Sequence, residues 1–96
     1  MNKEIEKLFF NPIRLKIVSF LISVESSSFK KLIEISGATK GNISIQIKKL
    51  HDAGFIKIKK KFEKNYPLTV CYITSKGKRS FDVFFQYLKS YGVNKI

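Results

Sequence analysis

The chain of 96 residues has a single cysteine, Cys71, which excludes an intramolecular disulfide framework. Cys71 lies in an apolar run and is expected to pack as a small hydrophobe. The single histidine, His51, has no cysteine or carboxylate cluster around it, so no metal ligand set is present in sequence. There is no Ser/His/Asp set, no carboxylate pair and no glycine-rich phosphate loop after a strand. The expectation is therefore no enzyme, no cofactor and no metal. No apolar run approaches the ~20 residues that span a bilayer. The first ten residues carry Glu4 and Glu6 and lack the long apolar stretch of a signal peptide. A cytoplasmic chain with no membrane partner is expected. No internal repeat, linker or low-complexity segment interrupts it, and no cluster of Cys, His or carboxylates marks an effector site.

Acidic residues are also scarce. Seven Asp and Glu face 19 Lys and Arg, for a net charge of +12. The excess is segregated: residues 40–79 hold eleven basic and two acidic residues, a net +9 against +3 for the rest. A solubilising surface needs no such segregation, whereas a localised basic field attracts polyanions. Lysine outnumbers arginine 17 to 2 and isoleucine occurs 13 times, a bias that fits either an A/T-rich genome or heat adaptation. The length suits one domain over 1–96. Such a chain buries roughly 65% of the surface its unfolded form exposes, and its modest core would gain from a partner chain.

The stretch from Thr39 to Gly54 organises the pattern. Thr39 is an N-cap, since its hydroxyl can accept a free N–H of the first helical turn. Gly54 is a stop, since glycine adopts the left-handed conformation without steric penalty. Ile43, Ile47 and Leu50 form one apolar stripe between them. At about 100° per residue the opposite face carries Gly41, Ile45, Lys48 and Asp52, flanked by Asn42, Ser44 and Lys49. Such a helix fits a DNA major groove, although an ordinary surface helix shows the same pattern.

Ahead of it, residues 2–10 have Ile5, Leu8 and Phe9 at helical spacing. Asn11-Pro12 caps and restarts the chain as a helix to about Val24, with Ile13, Ile17, Phe20, Leu21 and Val24 inward. Residues 25–28 read as a turn and Phe29 as an isolated strand residue. Residues 30–36 form a short helix closed by Gly37. Two short helices about a tight glycine-containing turn, the second basic outside, make the helix-turn-helix pattern.

After Gly54 the period changes to two. Residues 55–62 alternate as a half-buried strand, residues 60–67 form a basic tip, and residues 69–74 return as a second strand. Thr74 or Ser75 caps a last helix to about Tyr91, stopped by Gly92. Its Phe81, Phe84, Phe85 and Leu88, widened by Tyr87 and Tyr91, exceed what one face needs for packing on a small domain. Arg14, on the long helix, is expected to pair with a nearby carboxylate.

The segments N-P-I-R-L-K-I at 11–17, T-K-G-N-I-S at 39–44, I-K-K-L at 47–50, A-G-F-I-K-I-K-K at 53–60 and I-T-S-K-G at 73–77 occur in an order that resembles winged helix-turn-helix regulators. The resemblance covers residues 11–91, most of the chain, and is closest to the small MarR/ArsR-like type. It implies a mainly α (α+β) fold: a three-helix core, a β-hairpin wing and a C-terminal dimerisation helix. It implies a dimeric transcriptional regulator binding double-stranded DNA in a sequence-specific way, its third helix in the major groove and its basic wing on the flanking backbone. Carried onto this chain, the DNA-contacting residues would be Lys40, Asn42, Ser44, Ile45, Lys48 and Lys49 on the helix, with Lys59, Lys60, Lys61, Lys64 and Asn65 on the wing. A homodimer would form through residues 1–10 and 75–92, using Ile5, Leu8, Phe9, Phe84, Phe85, Tyr87, Leu88 and Tyr91. A protein-interaction adaptor or an RNA-binding module is the alternative on the same scaffold.

Two departures from the family pattern matter. Ile45 stands where relatives commonly carry a polar or basic residue, and suits contact with a thymine methyl. Leu68 stands near the usual wing arginine, which moves charge to the lysine-rich wing entry. The lysines suit phosphate contact, which positions but does not specify. With no arginine on the third helix, the bidentate guanine contact is missing, and modest specificity favouring A/T-rich sites is inferred. Asn42 and Ser44 are suited to base edges or phosphates, with a local backbone bond the other use of Asn42. Tyr72 is expected to pack in the sheet and Tyr66 to order the wing. The ligand, if any, stays open.

Overall fold

The computed structural model describes residues 3–91. Five helices and three strands follow the order α1 (Lys3–Phe9), α2 (Pro12–Val24), β1 (Ser26–Ser28), α3 (Phe29–Ser36), α4 (Lys40–Asp52), β2 (Ile56–Glu63), β3 (Tyr66–Ile73) and α5 (Ser75–Ser90). The starts of four helices are chemically marked. Asn11 Oδ1 accepts the N–H groups of Ile13 and Arg14, both at 3.0 Å, ahead of Pro12. Ser28 accepts from Lys31 N–H, Thr39 from Asn42 N–H and Thr74 from Gly77 N–H, at 3.0–3.1 Å. Gly37 and Gly54 take φ of +68° and +81°, the left-handed conformation that turns the chain out of α3 and α4. The proposed stop at Gly92 and the start at Asn2 lie outside the described residues.

The core is the junction of α2, α3 and α4. Ile17, Val18 and Leu21 of α2 meet Leu32 of α3 and Ile43, Ile47 and Leu50 of α4, all buried. A second layer is aromatic. Phe9 of α1 stacks on Phe55 at 5.5 Å between centroids, meets Phe84 of α5 at 5.2 Å and Phe81 edge-on at 5.7 Å. Such offset and edge contacts exceed area burial alone by roughly 0.5–1.5 kcal/mol each. They fix both terminal helices to the body.

The strands form one antiparallel sheet in the order β1-β3-β2. Register runs from Ile56 opposite Ile73 to Glu63 opposite Tyr66, and β1 adds Ser27 opposite Cys71. Past Ile56 every residue of β2 is exposed, so the hairpin projects from the body as a wing.

Several expectations are corrected. The strand before the helix-turn-helix is the serine triplet at 26–28, and Phe29 starts α3. Serine has weak strand preference, and the pairing comes from β3. Val24 is exposed and Val18 takes its place in the core. β2, the strand expected at 55–62, is not half-buried, because the alternation continues after the body has ended. The wing tip contracts from 60–67 to a two-residue turn at Lys64 and Asn65, with φ of 51° and 68°. Two consecutive positive φ values match the right-handed strand twist of a tight hairpin. Lys60 and Lys61 therefore lie on a strand.

Candidate nucleic-acid interface

The two faces of α4 separate cleanly. Ile43, Ile47 and Leu50 point inward, while Lys40, Gly41, Ser44, Ile45, Lys48 and Lys49 are exposed. Ile45 is 56% exposed, an aliphatic side chain held outward at the centre of a polar face. The Ser44 hydroxyl donates to Lys40 O at 3.0 Å, so its proton is engaged within the helix. Lys48 Nζ pairs with Asp52 one turn on, at 2.9 Å. That hydrogen bond holds the Asp52 carboxyl below its usual range. Both partners are more than half exposed, so the pair is one a phosphate can compete for.

The wing presents two different faces, because side chains alternate along a strand. Ile58, Thr69 and Pro67 belong to the face turned toward α4. Ser44, Ile47, Lys48 and His51 line one groove with Ile58 and Thr69, and Lys40 and Ser44 line another with Pro67 and Thr69. Lys60 and Phe62 share this face by register. Lys57, Lys59 and Lys61 alternate onto the reverse face. There the Nζ atoms of Lys59 and Lys61 both sit 5.3 Å from the centroid of the Tyr72 ring, an aromatic face that attracts cations. The wing lysines proposed as one group are thus split, Lys60 from Lys59 and Lys61. Lys64 and Asn65 stand exposed at the turn.

Two residues escaped the sequence reading, and a third, Arg14, has a different partner from the one expected. Phe62, 80% exposed near the wing tip, is an aromatic on the α4 side, and strand parity with Ile58 is the signal for it. Gln46 is buried on α4, on the inner side of a helix otherwise lined by Ile and Leu. Arg14 is buried as well, and its partner is not a carboxylate. Its Nε donates to Leu8 O at 2.8 Å, its Nη2 to Lys7 O at 3.4 Å, and its Nη1 to Gln46 Oε1. Burial lowers the guanidinium pKa from its ordinary value. Gln46 Nε2 then donates to Asn42 Oδ1 at 2.9 Å. Asn42 therefore makes a side-chain bond to Gln46, in place of the local backbone bond considered above. Nothing in the sequence signals this, since Arg14 and Gln46 are 32 residues apart.

The terminal helices divide too. Phe9 and Phe84 are buried in the chain's own core, 0% and 1% exposed, which corrects their assignment to a surface for a second copy. Ile5, Leu8, Tyr87 and Leu88 are half-buried, while Phe85 and Tyr91 are exposed. Among the described residues no group of three or more His, Cys, Asp or Glu could hold a metal ion. Among them no helix is long and apolar enough to cross a membrane.

A transcriptional regulator homologue from Pyrococcus horikoshii superposes with a TM-score of 0.83 at 32% identity, over 93% of this chain and 90% of that one. An ArsR family transcriptional regulator shares the fold at a TM-score of 0.66 and 16% identity, over 91% of this chain and 90% of its own. An uncharacterised protein of Methanocaldococcus jannaschii is 36% identical over 75 residues, which is 78% of this chain and 82% of that protein. The model of the winged helix DNA-binding domain matches residues 13–91, from the start of α2 through the end of α5. The match spans α4 and the projecting hairpin, and the chain belongs to the winged helix DNA-binding domain family.

Proposed function

We propose that this chain acts as a single-domain, homodimeric transcriptional regulator that binds double-stranded DNA with sequence preference. In this reading α4 enters the major groove, with Ser44 and Ile45 at base edges and Lys40, Lys48 and Lys49 at phosphates. The wing follows the flanking backbone through Lys60, Lys64 and Asn65, with Lys59 and Lys61 behind them. The observation that carries the reading is the convergence of the exposed face of α4 and one face of the wing on two grooves that share Ser44 and Thr69, within the most basic part of the sequence. A basic α4 face distinguishes it from a protein-interaction adaptor, for which an uncharged face is expected. The second copy would dock on α1 and α5, where Phe85 and Tyr91 stay exposed beside half-buried Ile5, Leu8, Tyr87 and Leu88. Paired copies would present two α4 helices to sites about one helical turn apart, on the order of 34–36 Å.

Selection from a random duplex library, followed by titration of the enriched sequence, tests the reading. A two-fold-related motif bound more tightly than scrambled duplex or single-stranded RNA is expected. Equal affinity for all duplexes, or stronger binding to RNA, would overturn it. Light scattering at micromolar concentration should give the dimer mass, and a monomer would remove α1 and α5 from the proposal.

A further inference from the structure

We infer that Arg14 and Gln46 lock the Asn42 amide in one orientation, so that Asn42 meets DNA as a hydrogen-bond donor and discriminates bases by their acceptors. The inference rests on α4 being the reading helix. A guanidinium has only donors. Arg14 Nη1 must therefore face the oxygen of the Gln46 amide, which turns the Gln46 nitrogen the other way. That nitrogen donates to Asn42 at 2.9 Å and so must meet the Asn42 oxygen. The Asn42 nitrogen is the one end left, and among the described residues it meets no acceptor. Each amide on its own could turn over; in series with an arginine, neither can without leaving two donors face to face.

The arginine is itself fixed. Its Nε and Nη2 bond the carbonyls of Leu8 and Lys7 at the end of α1, and the residue is 8% exposed. Gln46 is equally buried. Asn42 is half-buried in the first turn of α4, whose early residues meet base edges when such a helix enters the groove. A fixed donor there selects guanine O6 or N7, adenine N7 or thymine O4, and rejects the amino groups of adenine and cytosine. Arg14 and Gln46 are positioning residues, and Asn42 is a reader beside Ser44 and Ile45.

The polarity can be reversed from inside the protein. In Gln46→Glu, one carboxylate oxygen keeps the Arg14 bond and the other faces Asn42. The Asn42 amide must then turn over, donating to Glu and presenting its oxygen outward. At one base pair per half-site the selected base should change from an acceptor edge toward an amino group, by about fivefold, the worth of one ordinary hydrogen bond. In an Asn42→Ala background the same Gln46→Glu change should leave the selected motif unaltered. If Gln46→Glu does not fold, Asn42→Asp places an acceptor outward without disturbing the buried pair, and the same change of base is expected.

Library selection with each variant reads the result directly. A wild-type protein that selects no motif would refute α4 as the reader. A wild-type motif retained unchanged in Gln46→Glu, or in Asn42→Asp, would overturn the locked donor alone. Affinity lost equally on every duplex, with the motif retained, would place Asn42 at a phosphate and also overturn it.

Discussion

Glycine to alanine substitutions in two helices of this chain should have opposite signs. Gly77 lies in the first turn of α5 and is buried. A Cβ built there collides with the main-chain carbonyl of Phe55 and comes within 2.9 Å of Ile73 Cδ1. The Phe55 carbonyl cannot rotate aside. It accepts Thr74 N–H at 3.1 Å, while the Thr74 hydroxyl donates to Gly54 O at 2.7 Å and accepts Gly77 N–H at 3.0 Å. Alanine in a helix gains up to about 1 kcal/mol over glycine. Forcing a methyl against fixed backbone costs about 1–3 kcal/mol or more. Against a carbonyl that cannot move, the cost falls in the upper part of that range, about 2–3 kcal/mol, and the clash wins by about 1–2 kcal/mol. For a domain of this size that lowers Tm by roughly 4–16 °C. Gly41 is the control: it lies in α4, exposed, with nothing within 4 Å of an added Cβ and no positive φ. Near the helix start it recovers only part of the propensity, about 0.5 kcal/mol, and Tm should rise by roughly 2–4 °C. Thermal unfolding followed by far-UV circular dichroism reads both, at one protein concentration, since dimerisation would shift Tm by mass action. A Gly77→Ala protein as stable as wild type, or more so, would refute the close approach of α5 to the α4–β2 junction.

On α4, replacing Ser44 and Ile45 together should change which duplexes are selected, whereas Lys48→Ala should weaken all duplexes alike; a double change that alters neither would exclude this face as the reader. On the wing, Lys60→Ala should flatten log K against log[salt] by about 1.8 in a dimer, two contacts at about 0.9 each, and Lys61→Ala by less, because Lys61 faces Tyr72. Equal flattening by both in a salt titration would show that the two faces of the wing are equivalent to DNA. Burial pushes the Cys71 thiol up to about 11, so it stays protonated and should resist iodoacetamide at pH 8–9 until denaturant is added. The unfolded thiol ionises near 8.5. Above that the native state binds more protons than the unfolded one, and stability should fall between about pH 8.5 and 11, a fall that Cys71→Ala removes from a pH series of denaturant melts.

Local chemistry determined most of the secondary structure. Asn11, Thr39 and Thr74 cap because a short polar side chain reaches the free N–H groups of its own helix, and Gly37 and Gly54 end helices because of their own conformational freedom. The switch of period after Gly54 announced the hairpin, and the stripe at Ile43, Ile47 and Leu50 fixed which side of α4 faces out. What lay beyond the sequence depends on partners distant along the chain. A serine triplet becomes a strand because β3 offers its edge, and the hairpin turn narrows because the strands pair up to Glu63 and Tyr66. Apolar surplus on α1 and α5 read as surface for a second copy, yet Phe9 is consumed between Phe55 and Phe84, and only the three-dimensional approach of three separate segments decides that. The same holds for Arg14, whose expected carboxylate is replaced by the ends of α1 and by Gln46. Periodicity specifies which side of a helix is apolar. Which buried polar groups meet across 32 residues, and which way the last amide in the series must point, is settled only by tertiary packing, because a donor-only guanidinium constrains its neighbours only where the fold brings them into reach.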